Sequence, residues 1–406
     1  MNPHNALLPL VISSMVIAAC QTPAANPGKS NDHPSATSAF HFNVQLAPEW
    51  SRLFVRNNGW LGGDGIFALT KNGSEKTGAS ADDTTMLWFS DTILGEIIGD
   101  SLKEGMKMIN NSIAIINKGA PNNSMKFIWD KSNDGSPAAV FIPKTPATGK
   151  DDYLWLGDGF VNHKMNNDIN IFGYRIKNEK TTGTFGFREK GNLLITVPAN
   201  SKPPFKDYKQ ADIPFYLNKN LDSTGSFGAG VLVNTKEAGA ARGDGYVYIY
   251  GVRKKNKEVM VARTKPEDII KFAKWTFWDG KKWNSDPMQI AAIADHASNE
   301  LSVTELEDGR YIMVFQVDGM GTGIGVRLGS SPAGPFGQII NVYDVAKDLE
   351  KDKDIFSYNA KAHPVLSKPG ELLISYNVNS FDFANDIKTL PHLYHPRFIR
   401  LKYDLR

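Results

Sequence analysis

From Phe40 onward the apolar positions show no long helix-period stretch; they fall in short β-rich runs bounded by turn residues. The rhythm is one of hairpins: an inner strand, a turn, then an aromatic strand. Five such second strands align as Met86-Leu-Trp-Phe-Ser-Asp91, Ile169-Asn-Ile-Phe-Gly-Tyr174, Tyr246-Val-Tyr-Ile-Tyr-Gly251, Tyr311-Ile-Met-Val-Phe-Gln316 and Glu371-Leu-Leu-Ile-Ser-Tyr-Asn377. Asp244-Gly245, Asp308-Gly309 and Pro369-Gly370 are turn signals directly ahead of three of them. In the first unit Asn72-Gly73 opens a longer polar insertion ending near Asp83.

Five units, each with room for four strands, predict an all-β fold: a single five-bladed β-propeller over residues 40–406. The last unit lacks a fourth strand after Phe398-Ile-Arg-Leu-Lys-Tyr403, and the alternating Phe40-His-Phe-Asn-Val44 is expected to supply it and close the ring. A pair of two-sheet sandwiches is the rival architecture, which regular repetition disfavours. Helix is expected only in short pieces, Glu96 to Met108 and Pro266 to Lys274, the latter behind a Thr264/Glu267 capping box.

Ahead of the repeats, Leu7 to Ala19 is apolar and ends in Val16-Ile17-Ala18-Ala19-Cys20. Small residues before a cleavage point mark a signal peptide, and the run is shorter than the roughly 20 residues a spanning helix needs. Ile-Ala-Ala-Cys resembles a bacterial lipobox, which implies cleavage of residues 1–19 and lipid on Cys20. The n-region carries no Lys or Arg. Residues 20–39, rich in Pro, Ala, Asn and Ser, read as a flexible tether. The expectation is a monomer tied by lipid to the bacterial cell envelope, facing the periplasm or the cell surface.

Composition narrows the chemistry. Lys and Arg total 46 against 43 Asp and Glu, a net charge of +3, which argues against a nucleic-acid partner. A single cysteine excludes an internal disulfide and a multi-cysteine zinc site. The glycine-rich Gly319–Gly325 has the wrong spacing for a dinucleotide loop, and Asp344–Asp354 lacks the alternating acids of a calcium loop. Neither a Gly-x-Ser-x-Gly elbow nor a His-Glu-x-x-His pair occurs.

Inner strands of a propeller converge on its axis, so polar residues at matching positions should meet there. The first unit offers Trp60-Leu-Gly-Gly-Asp64-Gly and the second a near copy, Trp155-Leu-Gly-Asp158-Gly-Phe. The third has Phe227-Gly-Ala-Gly230 with no acid, the fourth Asn299-Glu300-Leu-Ser-Val, and the fifth Asn359-Ala-Lys361-Ala-His363-Pro. With Asp91 at the end of a second strand, Asp64, Asp91, Asp158 and Glu300 are predicted to cluster. One protonated and one ionised carboxyl are what glycosidic cleavage requires, and crowding of like charge keeps one of them protonated. Asp before Gly is also an ordinary turn residue.

These motifs, with Leu87-Trp-Phe-Ser-Asp91-Thr, Asn110-Asn-Ser112, Ser330-Ser-Pro-Ala-Gly-Pro335 and His395-Pro-Arg397-Phe398, resemble the endo-D-arabinanase-like five-bladed propellers, once catalogued as domains of unknown function. The resemblance implies a glycoside hydrolase acting on a furanose-containing, arabinan-type polysaccharide, with Asp64 and Asp91 at the family's two most telling acidic positions. In the same register Trp60 and Trp155 suit stacking on sugar faces, Asn111 and Asn377 suit bonding hydroxyls, and Arg397 suits pairing with a catalytic carboxylate; core tryptophans, turn asparagines and a structural salt bridge are the plain alternatives. His363 falls where related propellers keep a central histidine, in some cases beside a structural calcium; no other cofactor is implied. A glycan-binding propeller without catalytic activity is the alternative, and a protein-binding scaffold the third reading.

Overall fold

A computed structural model describes residues 40–118, 121, 125–179, 186–216, 225–253, 256–349 and 352–405. Cys20 and the whole leader and tether lie outside these residues. What is described is nearly all strand, in antiparallel sheets built from consecutive segments. The first sheet orders Phe67–Thr70, Thr85–Phe89, Ser112–Ile116 and Met125–Ile128. The second takes Tyr153–Asn162, Asp168–Asn178, Phe187–Val197 and Lys209–Ile213; the third begins with Gly225–Asn234, Tyr246–Arg253 and Glu258–Thr264. The fourth contains Leu301–Glu305, Tyr311–Gln316, Gly323–Gly329 and Ile340–Asp344. All five aromatic strands read from the sequence are second strands of these sheets or, in the fifth, its central strand Glu371–Ser380.

That fifth sheet joins the two ends of the described chain. His41–Leu46 pairs antiparallel with Arg397–Asp404, in register from His41 opposite Asp404 to Leu46 opposite Ile399. Glu371–Ser380 and Ile355–Ala362 follow across the sheet. Phe40 lies over Tyr403 with ring centres 6.2 Å apart, so the terminal strand is held by apolar contact as well as by its ladder.

First strands of neighbouring sheets pack directly on one another, first on second, second on third, third on fourth and fourth on fifth. The fifth returns to the first through the Lys361 ammonium, which donates to the carbonyl of Ile66 at 2.9 Å. Close approach demands glycine. A Cβ on Gly157 would lie 2.6 Å from the carbonyl oxygen of Gly228, and one on Gly230 would lie 2.7 Å from that of Leu301. Between sheets lie five buried apolar clusters, one of them built on Trp60, Phe54, Phe89 and Leu94.

Three local expectations are corrected. Glu96–Met108 is not helical: Thr92–Ile98 and Lys107–Ile109 are paired strands, with Gly99 and Gly105 at positive φ in the turns between. Apolar residues there satisfy both periods, and tertiary pairing decides. Pro266–Asp268 and Phe272–Lys274 form only single 3₁₀ turns, and Lys265, not Thr264, is the cap residue, with no side-chain cap bond. Trp60 to Asp64 is not the inner strand of the first sheet. Asn58–Gly63 pairs with Thr92–Ile98, and the sheet's first strand starts at Phe67.

Removing residues 40–44 should strip the outermost ladder from the fifth sheet and expose Arg397–Asp404 as an edge. We expect a melting temperature lower by roughly 5 °C or more, measured by thermal denaturation of the 45–406 fragment against 40–406. An unchanged midpoint would show that the terminal strand does not hold the fold together.

Candidate active site

Chemistry gathers where the strands break. Each long inner strand slips register at one place, between Leu156 and Gly159, between Phe227 and Gly230, and between Tyr358 and Lys361. In the first unit the break opposes Asp64 to two residues: the Asp64 N–H donates to the Asp91 carbonyl at 3.1 Å, and the Ser90 N–H donates to the Asp64 carbonyl at 2.8 Å. Such bulges redirect side chains at the cost of ladder bonds. Asp64, Asp91 and Asp158 all fall at these irregularities, and Glu300 immediately precedes the fourth inner strand.

Asp64 Oδ2 accepts the Tyr358 hydroxyl at 2.8 Å, and Tyr394 also bonds to this carboxyl; Oδ1 is buried with no protein partner. Burial pushes its pKa up, while the two phenols and the Lys361 charge pull the other way. Asp91 Oδ1 accepts Trp155 Nε1 at 2.9 Å and Asn110 Nδ2 at 3.2 Å. Burial, with the charge of Asp64 adding to it, pushes Asp91 up to about 7. The charge of Asp64 thus bears on the protonation of Asp91. Asn377 holds the Asp64 segment, its Oδ1 accepting the Gly65 N–H and its Nδ2 donating to the Gly63 carbonyl, both at 3.3 Å.

The other two acids are already engaged. Asp158 accepts the N–H groups of Gly159 at 2.8 Å and Val231 at 2.7 Å, one on each oxygen; burial raises it to about 7. Glu300 accepts Asn359 Nδ2 at 2.8 Å and is ion-paired with Lys361, both partners buried. Burial takes Glu300 to about 7 against the pull of Lys361, with Asp64 and Asp158 adding repulsion. It lies close to the Asp64 segment, since a Cβ on Gly65 would sit 3.1 Å from Glu300 Oε1.

The structure brings Asp64, Asp91, Asp158 and Glu300 into one electrostatic neighbourhood and scatters several proposed helpers. Trp155, half-buried, stands beside Asp91 with Phe187 edge-on at 4.6 Å. Trp60 is buried, stacks on Phe127 at 4.3 Å and offers no sugar face. Asn111 spends its amide on Phe141 and Leu154, which makes it a clamp between strands. Asn377 positions Asp64 and is likewise a scaffold residue. Arg397 Nη1 donates to the Asp348 carbonyl at 2.6 Å, whereas the cation bonded to a site carboxylate is Lys361. His363 is buried against Ser375 at 2.7 Å, and burial lowers it to about 3, so it is neutral. Among the described residues no group of three or more His, Cys, Asp or Glu is placed to hold a metal ion.

Lys361, Tyr358 and Tyr394 escaped the sequence reading. Their signal was weak: a lysine on an inner strand, two residues from a histidine, and a tyrosine beside the break. A cavity of about 340 Å³ runs along the inner strands past Asp158 and Lys361 to Glu75 and Glu305; Asp64, Asp91 and Glu300 do not line it. Glu75 belongs to the polar insertion after Asn72, and burial, with Asp158 behind it, raises it to about 8.

With this geometry in place, the relatives can be compared. Residues 48–403 match the family described as Domain of unknown function (DUF5005). The chain belongs to that family. Its fold is shared with a putative hydrolase from Bacteroides ovatus at TM-score 0.67 and 22% identity, over 88% of this chain and 90% of that one. An exo-β-1,3-galactanase from Phanerochaete chrysosporium aligns at TM-score 0.42 and 12% identity, covering 88% and 64% of the two chains. The GH43 protein BlXynB from Bacillus licheniformis gives 0.42 and 12%, covering 83% and 51%. These last two likenesses are too distant to bear on function. No curated protein sequence matches.

Glu75 provides a test of the buried charge in this family member. A carboxyl whose folded pKa lies above its unfolded value costs stability as pH rises from the unfolded value through the folded one. For Glu75 that window runs from about 4.5 to about 8. Glu75→Gln should therefore melt within a degree of wild type at pH 4 and a few degrees above it at pH 8. Equal shifts at both pH values would contradict the burial of this carboxyl.

Proposed function

We propose that this protein is a glycoside hydrolase of the bacterial cell envelope, a monomeric five-bladed propeller closed by its N-terminal strand and tethered by lipid on Cys20. Five consecutive sheets whose first strands touch in series, with His41–Leu46 laid on the final strand, support the propeller. One observation carries the enzymatic reading: backbone bonds across a bulge set Asp64 beside Asp91, and one buried Asp64 oxygen has no hydrogen-bond partner. An oxygen buried without a donor is costly unless a ligand or water meets it, and so marks a place prepared for one.

The proposed substrate is a furanose-containing, arabinan-type polysaccharide, as the resemblance of the Asp64 and Asp91 motifs suggests. Asp64 attacks the anomeric carbon or activates water. Tyr358 and Tyr394 orient it through hydrogen bonds, and Asn377 fixes its backbone. Trp155 offers a half-exposed ring beside Asp91 on which a sugar face can stack. Asp158 and Glu300 tune the protonation of the pair through their charge.

Asp64→Asn and Asp91→Asn preserve size and remove charge. Each should lower product release from arabinan-type polysaccharides by 10²–10⁴-fold, about 3–5 kcal/mol of barrier, with the fold intact by circular dichroism. Activity within threefold of wild type would sink the assignment. A wild-type protein that cleaves nothing in a broad furanoside panel, yet is thermally stabilised by one sugar, would instead be a binding protein.

Anchoring is tested separately. Cys20→Ser should abolish incorporation of radiolabelled fatty acid and release the protein from the detergent-extracted membrane fraction. Label retained in the variant would exclude lipid attachment at this residue.

A further inference from the structure

Hydrolysis needs a proton donor on the far side of the scissile bond from Asp64, and the four acids read from the sequence do not supply an evident one. Glu300 is bound to Lys361 and Asn359, Asp158 takes a backbone N–H on each oxygen, and Asp91 accepts Trp155 and Asn110 on one oxygen beside the charge of Asp64. A fifth carboxyl borders the same place. Glu189 lies on Phe187–Val197, the third strand of the second sheet, where Gly191 pairs with Arg175 and Glu189 with Ile176, leaving Lys190 as the bulged residue. The Tyr216 hydroxyl donates to the Glu189 carbonyl at 2.8 Å and fixes this bend.

Its surroundings tie it to the cluster from three sides. Phe187, two residues away and on the same face, packs edge-on against Trp155, which bonds Asp91. The buried Tyr174 hydroxyl feels the charges of Glu189, Glu300 and Asp158 together. Ser226, on the third inner strand, bonds the Glu189 carboxyl, and Lys257 acts on it at a distance while donating to Asn299 beside Glu300. Glu189 Oε1 is buried with no hydrogen-bond partner. Burial raises the group to about 7, so it holds a proton near neutrality.

We infer that Glu189 is the catalytic proton donor of this site, an assignment that rests on the glycoside hydrolase reading. As the bond from the anomeric carbon to the departing oxygen breaks, its electron pair stays on that oxygen, which takes the proton from Glu189. The anomeric carbon gains its new oxygen from Asp64 or from water that Asp64 deprotonates. Where Asp64 has bonded the anomeric carbon, the ionised Glu189 deprotonates the water that breaks that ester, which frees Asp64 and returns the proton to Glu189; where Asp64 has deprotonated the attacking water, it gives that proton up to solvent and Glu189 takes one back from solvent.

Acid assistance matters for a poor leaving group and little for a good one. The experiment compares 4-nitrophenyl arabinofuranosides of both D and L configuration and their oligosaccharide-extended aryl analogues with D- and L-arabinan, for wild type, Glu189→Gln and Asp64→Asn. Glu189→Gln should lose 10²-fold or more on arabinan but less than fivefold on the aryl substrates. Asp64→Asn should lose activity on both. Equal losses of Glu189→Gln on both substrate types, or no loss, would overturn the role, as would the same leaving-group split appearing in Asp91→Asn instead. Wild type inactive on every substrate would refute the hydrolase reading and this inference with it. Glu189→Asp, which keeps the proton, should retain part of the arabinan activity and serves if Glu189→Gln does not fold.

Discussion

A single backbone irregularity governs the site. Where Asp64 faces Ser90 and Asp91 across the first hairpin, the ladder gives up its one-to-one pairing and sets two acidic residues side by side. Ser90 is anchored on the next sheet through Leu156, whose N–H donates to its hydroxyl at 2.9 Å, and Asp91 through Trp155. From the other direction Asn377 grips the backbone on either side of Asp64. The carboxyls thus cannot move apart to relieve their repulsion, and a shifted pKa is the consequence.

Charge balance around this pair comes from one side chain. Lys361 is buried, reaches across from the fifth sheet to the first, and holds Glu300 while it moderates Asp64 and Asp158. A buried ion pair seldom adds net stability, and removing one partner is far costlier than having neither. Lys361 sets one fixed positive charge among buried acids, and Asp158 and Glu300 both stand at about 7 beside it.

The recurring hairpins were legible because β-rich aromatic runs are a local property, punctuated by Asp-Gly and Pro-Gly turns. The acidic positions were legible for a related reason: Asp64 and Asp158 occupy similar motifs, and both fall at breaks in their strands. Those motifs differ by one residue, however. Trp60 stands four positions before Asp64, Trp155 three before Asp158. They also fall on strands with different partners: Trp60, on the strand paired with Thr92–Ile98, sits in the core against Phe127, while Trp155, on the inner strand of the second sheet, reaches Asp91.

By itself the sequence determined the β architecture, the order of the strands and the acids available, because period, turn chemistry and residue type act over a few neighbouring positions. Tertiary structure alone decided which polar side chains meet. Lys361 and Glu300 come from different sheets, Tyr358 and Asp64 from opposite ends of the chain, and Glu189 from a third strand that no inner-strand motif marks. The same packing turned Asn111, Asn377 and His363 into scaffold, since a buried polar group must spend its hydrogen bonds on whatever lies beside it. What lies beside it is fixed by sheets brought together from distant parts of the chain, and no local pattern encodes that neighbour.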